Sequence, residues 1–280
     1  MSLRNIYYKL PLGIRYWVRR MYYMPVDLKD SLSGNRHPLS PPKGMVFTGS
    51  GDFINQGQHH LDLLRKYSDL KPECDILDVG SGMGRTAVAL TEYLNESGSY
   101  QGIDVVERAV AWCSRHITER FPNFRFRHIS VANDLYNKDT LSAASYIFPF
   151  KDQQFDLVSL FSVFTHMQPE ELENYLSQIW RVLRSGGKCI FTVFSYDDDI
   201  ESIIASRNEF SFPIKKQNHR LMHAGIKSAN VAFDLSWLLA TAESIGFDVV
   251  HFNRGFWYDN ANKNSTDDFQ DLLILAKKVD

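Results

Sequence analysis

The sequence predicts an α/β protein whose mostly parallel sheet is covered by helices on both faces. Between residues 75 and 277, short apolar segments typical of strands alternate with segments of helical periodicity, an order that builds a parallel sheet. The strands are also largely apolar, as expected where helices bury both faces of the sheet. Ligands of such sheets bind at the carboxyl ends of the strands, so we expect a functional site at that edge.

Seven segments have the length and composition of strands. The first, Asp75 to Val79, is a short apolar run that leads into glycines, and the last two close the chain after its final helix. The predicted strands span residues 75–79, 100–104, 124–128, 155–160, 188–194, 247–252 and 271–277.

Helices are predicted between these strands from their periodicity and from residues that start or stop a helix. Pro169, followed by two glutamates, suits a first turn, because proline lacks an amide hydrogen and acids favour the helix N-terminus. Gly246 suits a C-terminal stop, and Pro72 and Pro122 end two other helices. The predicted helices span residues 58–70, 85–94, 107–120, 169–183 and 235–245.

Composition limits the class of protein. The 280 residues allow one large domain or two small ones, and the 44% hydrophobic content suffices for a sizeable core. The net charge is −2, so the chain as a whole does not have the excess of basic residues that is typical of nucleic-acid-binding proteins. The sequence shows no signal peptide and no apolar run long enough for a membrane span. Three widely spaced cysteines form no metal or disulfide pattern, so we predict a cytoplasmic protein without a metal site.

Residues 1–44 are predicted to form an N-terminal extension and linker ahead of a domain spanning 45–280. They hold eight Lys/Arg against two Asp, a net charge of +6, so the remainder carries −8. Ile14, Trp17, Val18 and Met21 recur at helical spacing and predict a short amphipathic helix. Three roles stay open: packing on the acidic remainder, covering the active site, or weak, salt-sensitive membrane contact through residues 1–24.

A glycine-rich turn is the strongest chemical signal. The sequence Ile76 to Arg85 reads ILDVGSGMGR, in which an apolar strand enters a turn and a helix follows. Glycines let the backbone approach a ligand closely. A dinucleotide site would have the spacing G-x-G-x-x-G, whereas this turn has G-x-G-x-G. Asp104 is the last residue of the next predicted strand. A carboxylate at this position can accept hydrogen bonds from both hydroxyls of a ribose.

These residues resemble the first two motifs of the class I S-adenosylmethionine-dependent methyltransferases, in Ile76 to Arg85 and in Gln101 to Asp104. Phe155 to Met167 resembles that family's fourth strand and the loop beyond it, and Arg181 to Lys188 resembles its turn before strand five. The resemblance covers about residues 46–278 and implies a Rossmann-like, seven-stranded sheet with an antiparallel last strand. Within the family, the chain resembles bacterial small-molecule and glycan-type enzymes.

The resemblance implies a site for S-adenosyl-L-methionine. Asp104 would hold the ribose, and Asp78 would reach the amino group of the methionine part. Ser130 and Val131 occupy the place of the family's adenine contact, with Asn133 and Asp134 just beyond. The turn residues that would line the methionine part are Gly80, Ser81, Gly82 and Gly84.

Two aromatic residues complete the predicted cofactor site. Phe161 follows the fourth strand, and Phe47 lies in a glycine-containing stretch, residues 45–51, that is either a movable flap over the cofactor or a plain linker turn. His59 and His60 precede an apolar helix and could close over the cofactor.

The acceptor is predicted to be a small molecule or a glycan, with oxygen as the methylated atom. A hydroxyl nucleophile needs a base, and His166 is the candidate because it follows strand four. Residues 197–232 form a long connection with several basic side chains, which suits a cover over an anionic or polyhydroxyl substrate. The alternatives are an NAD-dependent oxidoreductase and a cofactor-binding module without catalysis. Nucleic-acid modification is disfavoured, since the loop after strand four lacks an Asn/Asp-Pro-Pro-Tyr type sequence.

Overall fold

A computed structural model describes residues 12–34, 36–47, 51–133, 137, 139–206, 210–225 and 229–279. The strands are β1 (Asp75–Val79), β2 (Ser99–Asp104), β3 (Phe124–His128), β4 (Phe155–Leu160), β5 (Leu183–Tyr196), β6 (Ile214–Lys215), β7 (His219–Leu221), β8 (Val231–Asp234), β9 (Phe247–Asn253) and β10 (Asp271–Lys277). The α-helices are α1 (Leu12–Ser33), α2 (Phe53–Tyr67), α3 (Arg85–Leu90), α4 (Glu107–Cys113), α5 (Pro169–Val182), α6 (Asp198–Ser206) and α7 (Leu235–Ile245).

The central sheet has the order β3-β2-β1-β4-β5-β10-β9. Its first five strands are parallel, and β10 runs antiparallel to both of its neighbours. The predicted seven-stranded, mostly parallel sheet is therefore confirmed as the centre of the fold. The described chain adds three strands that were not predicted, β8, β7 and β6, which continue from the carboxyl end of β5 through the pairing of Phe194–Tyr196 with Ala232–Asp234.

Helices cover both faces of the sheet, as the alternation predicted. Alternate residues of β1 point to opposite faces, so Leu77 joins one core cluster and Ile76 the other. The first cluster includes Leu172 and Leu176 of α5, and the second includes Leu64 of α2. A third, smaller cluster around Phe194, Phe212 and Trp257 joins β5 to the long connection of residues 197–232, here called the insertion. The burial of both faces explains the continuous apolar composition of the strands.

Several helix ends agree with the sequence signals, and others differ for local reasons. Pro169 begins α5, and Gly246 ends α7 in a left-handed conformation with φ 111°. Helix α2 begins at Phe53, five residues earlier than predicted, because the Asp52 carboxylate accepts hydrogen bonds from the amides of Ile54 and Asn55. Helix α4 is followed by a π-helical turn, Ser114–Thr118.

Helix α1 is 22 residues long and includes Pro25, whereas the sequence predicted a shorter helix. Apart from residues 1–11, which are not among those described, the extension is thus mostly helical up to Ser33. Within the described part of the chain, no helix is both long enough and apolar enough to cross a membrane.

Candidate active site

A cavity of about 380 Å³ opens at the carboxyl ends of β1, β2 and β4, where the topology predicts a ligand site. This volume lies within the usual range of small-molecule sites. Six of the residues predicted from the sequence line it together: Phe47, Gly80, Gly82, Asp104, Phe161 and His166.

The glycine turn forms one wall of this cavity. Gly80 has φ 78°, and a Cβ atom there would lie 2.4 Å from Cγ2 of Val163, another lining residue. Glycine is required because a side chain would be strained and would collide with Val163. The amides of Gly80 and Ser81 donate to the carbonyl of Ile103 at 2.8 and 3.1 Å, which ties the turn to β2.

Two residues of the turn point away from the cavity. Gly84 is the N-cap of α3 with φ 81°, and a Cβ atom there would lie 2.8 Å from Cδ1 of Ile117. Ser81 is buried, and its hydroxyl has no hydrogen-bond partner among the described residues. Both serve the packing of the turn against its surroundings, and neither lines the cavity.

The Asp104 carboxylate lies at the end of β2 and is almost fully buried. Its oxygens accept hydrogen bonds from the amides of Gly82 at 2.7 Å and Val106 at 2.8 Å. Burial raises the pKa of Asp104 to about 6, and these two hydrogen bonds oppose the rise. Each carboxylate oxygen accepts more than one hydrogen bond, so the fixed carboxylate retains acceptor capacity toward the cavity.

Asp78 is not among the residues that line the cavity. Its carboxylate is buried in the sheet, where it accepts hydrogen bonds from the hydroxyls of Tyr100 at 2.5 Å and Ser159 at 2.9 Å. Burial raises the pKa of Asp78 to about 7, and both hydrogen bonds oppose this effect. The observed contacts therefore join β1, β2 and β4 below the glycine turn.

The segment after β3 enters the cavity at positions other than those predicted. Ser130 is exposed, and Val131 is buried and forms an isolated bridge with Leu141. Their neighbours Ile129 and Asn133 line the cavity instead. The alternation of side chains along an extended segment accounts for the outward position of Ser130. Val131 lies on the same side as Ile129, where it is buried in the core cluster. Asp134, which the sequence also placed here, lies outside the described residues.

His166 lines the cavity from a 3₁₀ turn, Phe164–His166. Its amide donates to the carbonyl of Val163 at 3.0 Å, which fixes the turn directly after β4. The adjacent Met167 also lines the cavity. The sequence-predicted base is thus held by backbone geometry at the same cavity as Asp104.

Phe161 is held from behind by His60 of α2. The two rings stack with their centroids 3.8 Å apart, and Nδ1 of His60 shares a 2.8 Å hydrogen bond with the Thr86 hydroxyl. Burial and the nearby Arg85 guanidinium hold the pKa of His60 well below its usual value. His60 therefore supports the cavity wall as a neutral ring, and the adjacent His59 pairs with Asp268 at 2.8 Å.

Phe47 connects the cavity to helix α1. Its ring contacts Tyr16 edge-on at a centroid distance of 6.0 Å, and the Arg108 guanidinium lies over it at 5.2 Å. Thr48, Gly49 and Ser50, which belong to the predicted flap, lie outside the described residues.

Ser162 was missed by the sequence analysis. It lines the cavity with φ 60°, a left-handed conformation that is uncommon for serine. Its amide donates to Oγ1 of Thr192 at 2.8 Å, and its hydroxyl donates to Oε1 of Gln270 at 3.0 Å. Gln270 lines the cavity as well. A glycine here would have signalled the turn, whereas serine gives no such signal.

The basic residues of the 197–232 segment serve mainly the segment itself. Arg220 is buried, where it donates to Glu201 at 2.7 Å and to the carbonyl of Phe212 at 2.8 Å. Lys215 also pairs with Glu201 at 2.7 Å. The described residues that line the cavity include none from this segment, and Lys227 lies outside the described residues.

Comparison with known proteins agrees with this geometry. Residues 76–187 match the family model of the methyltransferase domain. The arsenite methyltransferase of Aquipseudomonas alcaligenes is 27% identical over 119 residues, which are 42% of this chain and 32% of that protein. The sterol 24-C-methyltransferase of Schizosaccharomyces pombe is 27% identical over 206 residues, which are 72% of this chain and 48% of that protein. The chain thus spans about a third to a half of the length of these relatives.

A solved S-adenosylmethionine-dependent methyltransferase from Methanosarcina mazei has the same fold, with a TM-score of 0.54 and 18% identity over 78% of this chain and 98% of that one. The matched segment, residues 76–187, contains the glycine turn, Asp104 and His166, so it favours the methyltransferase over the oxidoreductase among the two nucleotide interpretations. Residues 76–187 therefore form a methyltransferase domain, and the methyl donor of this kind of domain is S-adenosyl-L-methionine.

Proposed function

We propose that this protein transfers the methyl group of S-adenosyl-L-methionine to a hydroxyl-bearing small molecule, such as a sugar unit of a glycan. The observation that carries the proposal is one cavity that is lined by the glycine turn, by a fixed, buried carboxylate, Asp104, and by His166. We assign the donor end of the site to the glycine turn and Asp104, and the acceptor end to His166.

The donor end fits the cofactor by the chemistry of its residues. Asp104 would accept hydrogen bonds from the two ribose hydroxyls, because its carboxylate is already oriented by Gly82 and Val106. The bare backbone of Gly80 and Gly82, which lines the cavity, would lie against the methionine part. Ile129 and Asn133 would flank the adenine, in place of Ser130 and Val131.

The acceptor end provides a base. When bound, S-adenosyl-L-methionine supplies a methyl group activated by a sulfonium sulfur, so the protein mainly has to align the acceptor oxygen and remove its proton. His166 would take that proton onto its imidazole and later release it to solvent. Ser162 and Gln270, hydrogen-bonded to each other on the same wall, would orient further hydroxyls of the acceptor.

The test separates binding from turnover. Calorimetry should show binding of S-adenosyl-L-methionine but not of NAD, and a pool of hydroxylated metabolites and sugars should release S-adenosylhomocysteine. His166→Gln should lower turnover about 100-fold with cofactor affinity within a few-fold of wild type. His223→Gln, a change at an exposed histidine, is the matched control and should leave both unchanged.

Three results would count against parts of this proposal. Unchanged turnover in His166→Gln would remove its role as base. Methyl transfer only to nitrogen, carbon or arsenic acceptors would overturn the choice of oxygen. Cofactor binding without turnover of any acceptor would favour a binding module without catalysis. Three free cysteines suit the reducing cytoplasm that we propose as its location.

A further inference from the structure

Helix α1 contacts the rest of the protein through its polar face. The half-buried side chains of the helix recur at helical spacing: Arg15, Tyr16, Arg19, Tyr23, Asp27 and Asp30. Asp27 accepts hydrogen bonds from the amides of Lys43 at 2.6 Å and Gly44 at 3.0 Å, which ties the helix to the linker. Tyr16 packs on Phe47 of the cavity. The side that faces the protein is therefore aromatic and charged.

The opposite face is an apolar stripe that faces solvent. Trp17 is 64% exposed and Leu32 is 80% exposed. The stripe residues follow the spacing i, i+3, i+4, i+7 along the whole helix, and all are exposed: Ile14, Trp17, Val18, Met21, Met24, Leu28 and Leu32. A surface helix of a soluble domain normally turns such a stripe toward the core. In α1 the orientation is reversed, so the stripe is available to an external partner.

Positive charge borders the stripe. Arg20 and Lys29 are exposed, and the helical periodicity places them on opposite edges of it. Residues 12–44 contain six Lys/Arg and only two Asp. One of these acids, Asp27, is occupied by backbone amides, and Asp30 pairs with Lys43 at 3.6 Å. The partner that fits is apolar at its centre and anionic at its surface.

We propose that α1 is an interfacial helix that docks the protein on an anionic lipid bilayer. The stripe would enter the boundary between headgroups and acyl chains, Trp17 would lie at headgroup level, and Arg20 and Lys29 would reach lipid phosphates. A second copy of the helix would bring like-charged edges together, whereas anionic lipids neutralise them. Because Tyr16 contacts Phe47, the docked helix would lie one side chain away from the methyltransferase cavity.

Flotation of the full chain with vesicles tests the proposal. Wild type should float with vesicles of phosphatidylcholine and phosphatidylglycerol in a 60:40 ratio, bind pure phosphatidylcholine at least about tenfold more weakly, and dissociate as salt rises. Met21→Glu with Leu28→Glu should reduce binding at least about tenfold. Arg20→Glu with Lys29→Glu should remove the preference for the anionic vesicles.

The matched control is Ile147→Glu with Val250→Glu, which makes the same chemical change at exposed apolar residues outside α1. It should bind like wild type, and calorimetry with S-adenosyl-L-methionine should confirm that every variant is folded. Failure of wild type to bind either vesicle would overturn the proposal. Binding as strong as that of wild type by Met21→Glu with Leu28→Glu, the stripe variant, would overturn it as well. A dimer that only the stripe variant converts to a monomer, without vesicle binding, would assign the stripe to self-association instead.

Discussion

At the scale of single residues, Asp104 shows how burial and orientation act together. Burial raises its pKa to about 6, and the two backbone amides that fix its carboxylate in place oppose this rise. The residue is therefore mostly ionised at neutral pH but titrates within an accessible range. Its protonation state should control cofactor binding, because a protonated carboxyl loses acceptor capacity toward ribose hydroxyls.

We expect the affinity for S-adenosyl-L-methionine to be flat above about pH 7 and to fall below pH 6. The sign follows from the raised pKa: protons bind the free site as pH falls through it and compete with the cofactor, by up to about tenfold per pH unit. Asp104→Asn should bind about 30- to 150-fold more weakly at pH 7.5 and lack this slope. Asp152→Asn, at a surface ion pair with Arg181, is the control. Calorimetry at pH 7.5, 6 and 5 provides the measurement, and a wild-type affinity that does not change with pH would contradict it.

Gly80 and Gly186 form a matched pair for testing the turn. Both have positive φ, 78° and 74°, so alanine carries a similar backbone strain of about 1–2 kcal/mol at either position. Only at Gly80 would the new Cβ also collide with the cavity wall, 2.4 Å from Val163 Cγ2, whereas the nearest atom at Gly186 is 3.6 Å away. Gly80→Ala should abolish cofactor binding, and Gly186→Ala should lower the melting temperature only. Similar cofactor affinities in the two variants would show that strain, and not the close approach, sets the need for glycine.

The sequence predicted which residue types line this cavity better than it predicted the individual contacts. Gly80 and Asp104, which line the cavity, could be found because the two proposed contacts, a ligand close to the backbone and a ribose, each demand a particular residue type. Ser130 is exposed, and its neighbour Ile129 lines the cavity. This could not be predicted, because the sequence does not show which side of the chain after β3 faces inward. Ser162 was invisible because its left-handed backbone arises from its tertiary contacts with Thr192 and Gln270.

At the scale of elements, the insertion shows where patterns are too short to detect. Strands β6, β7 and β8 have only two to four residues each, and none exceeds the lower limit of the roughly four to eight residues from which alternation is recognised. The length of α1 was underestimated because proline usually ends a helix, whereas Pro25 lies inside it. By contrast, β1, β3, β4, β10 and α7 were predicted with their observed bounds, since each has a clear apolar pattern and a stop signal.

Glu201 should matter for the stability of the insertion and not for the cofactor. It pairs with the buried Arg220, so Glu201→Ala would leave a buried guanidinium without its carboxylate. We expect a loss of about 2 kcal/mol in the free energy of unfolding, less than for a fully buried pair because Glu201 is partly exposed. Urea denaturation measures this loss, with the exposed Glu243→Ala as control. Cofactor affinity should stay within threefold of wild type, and a larger loss would place the insertion at the cavity.

At the scale of the whole molecule, the fold separates three regions along one chain. The cavity lies over β1, β2 and β4, the insertion extends from β5, and the basic helix α1 packs by its polar face beside Phe47. The sequence indicated this division through its charge asymmetry and its motif order. It left the direction of the apolar stripe of α1 open, because periodicity defines faces of a helix but not what each face meets.

Strand β5 is shared between the sheet and the insertion. Residues 188–193 pair with β10, and Phe194–Tyr196 pair with β8, whose Ala232 and Phe233 are fully buried. The insertion cannot open at β8 without breaking the hydrogen bonds that join β8 to β5, a strand of the central sheet. Hydrogen exchange should therefore report one cooperative unit, in which the amides of β8 and β5 share a single opening free energy close to that of global unfolding. If the β8 amides instead exchange hundreds of times faster than the β5 amides, the insertion unfolds independently of the sheet.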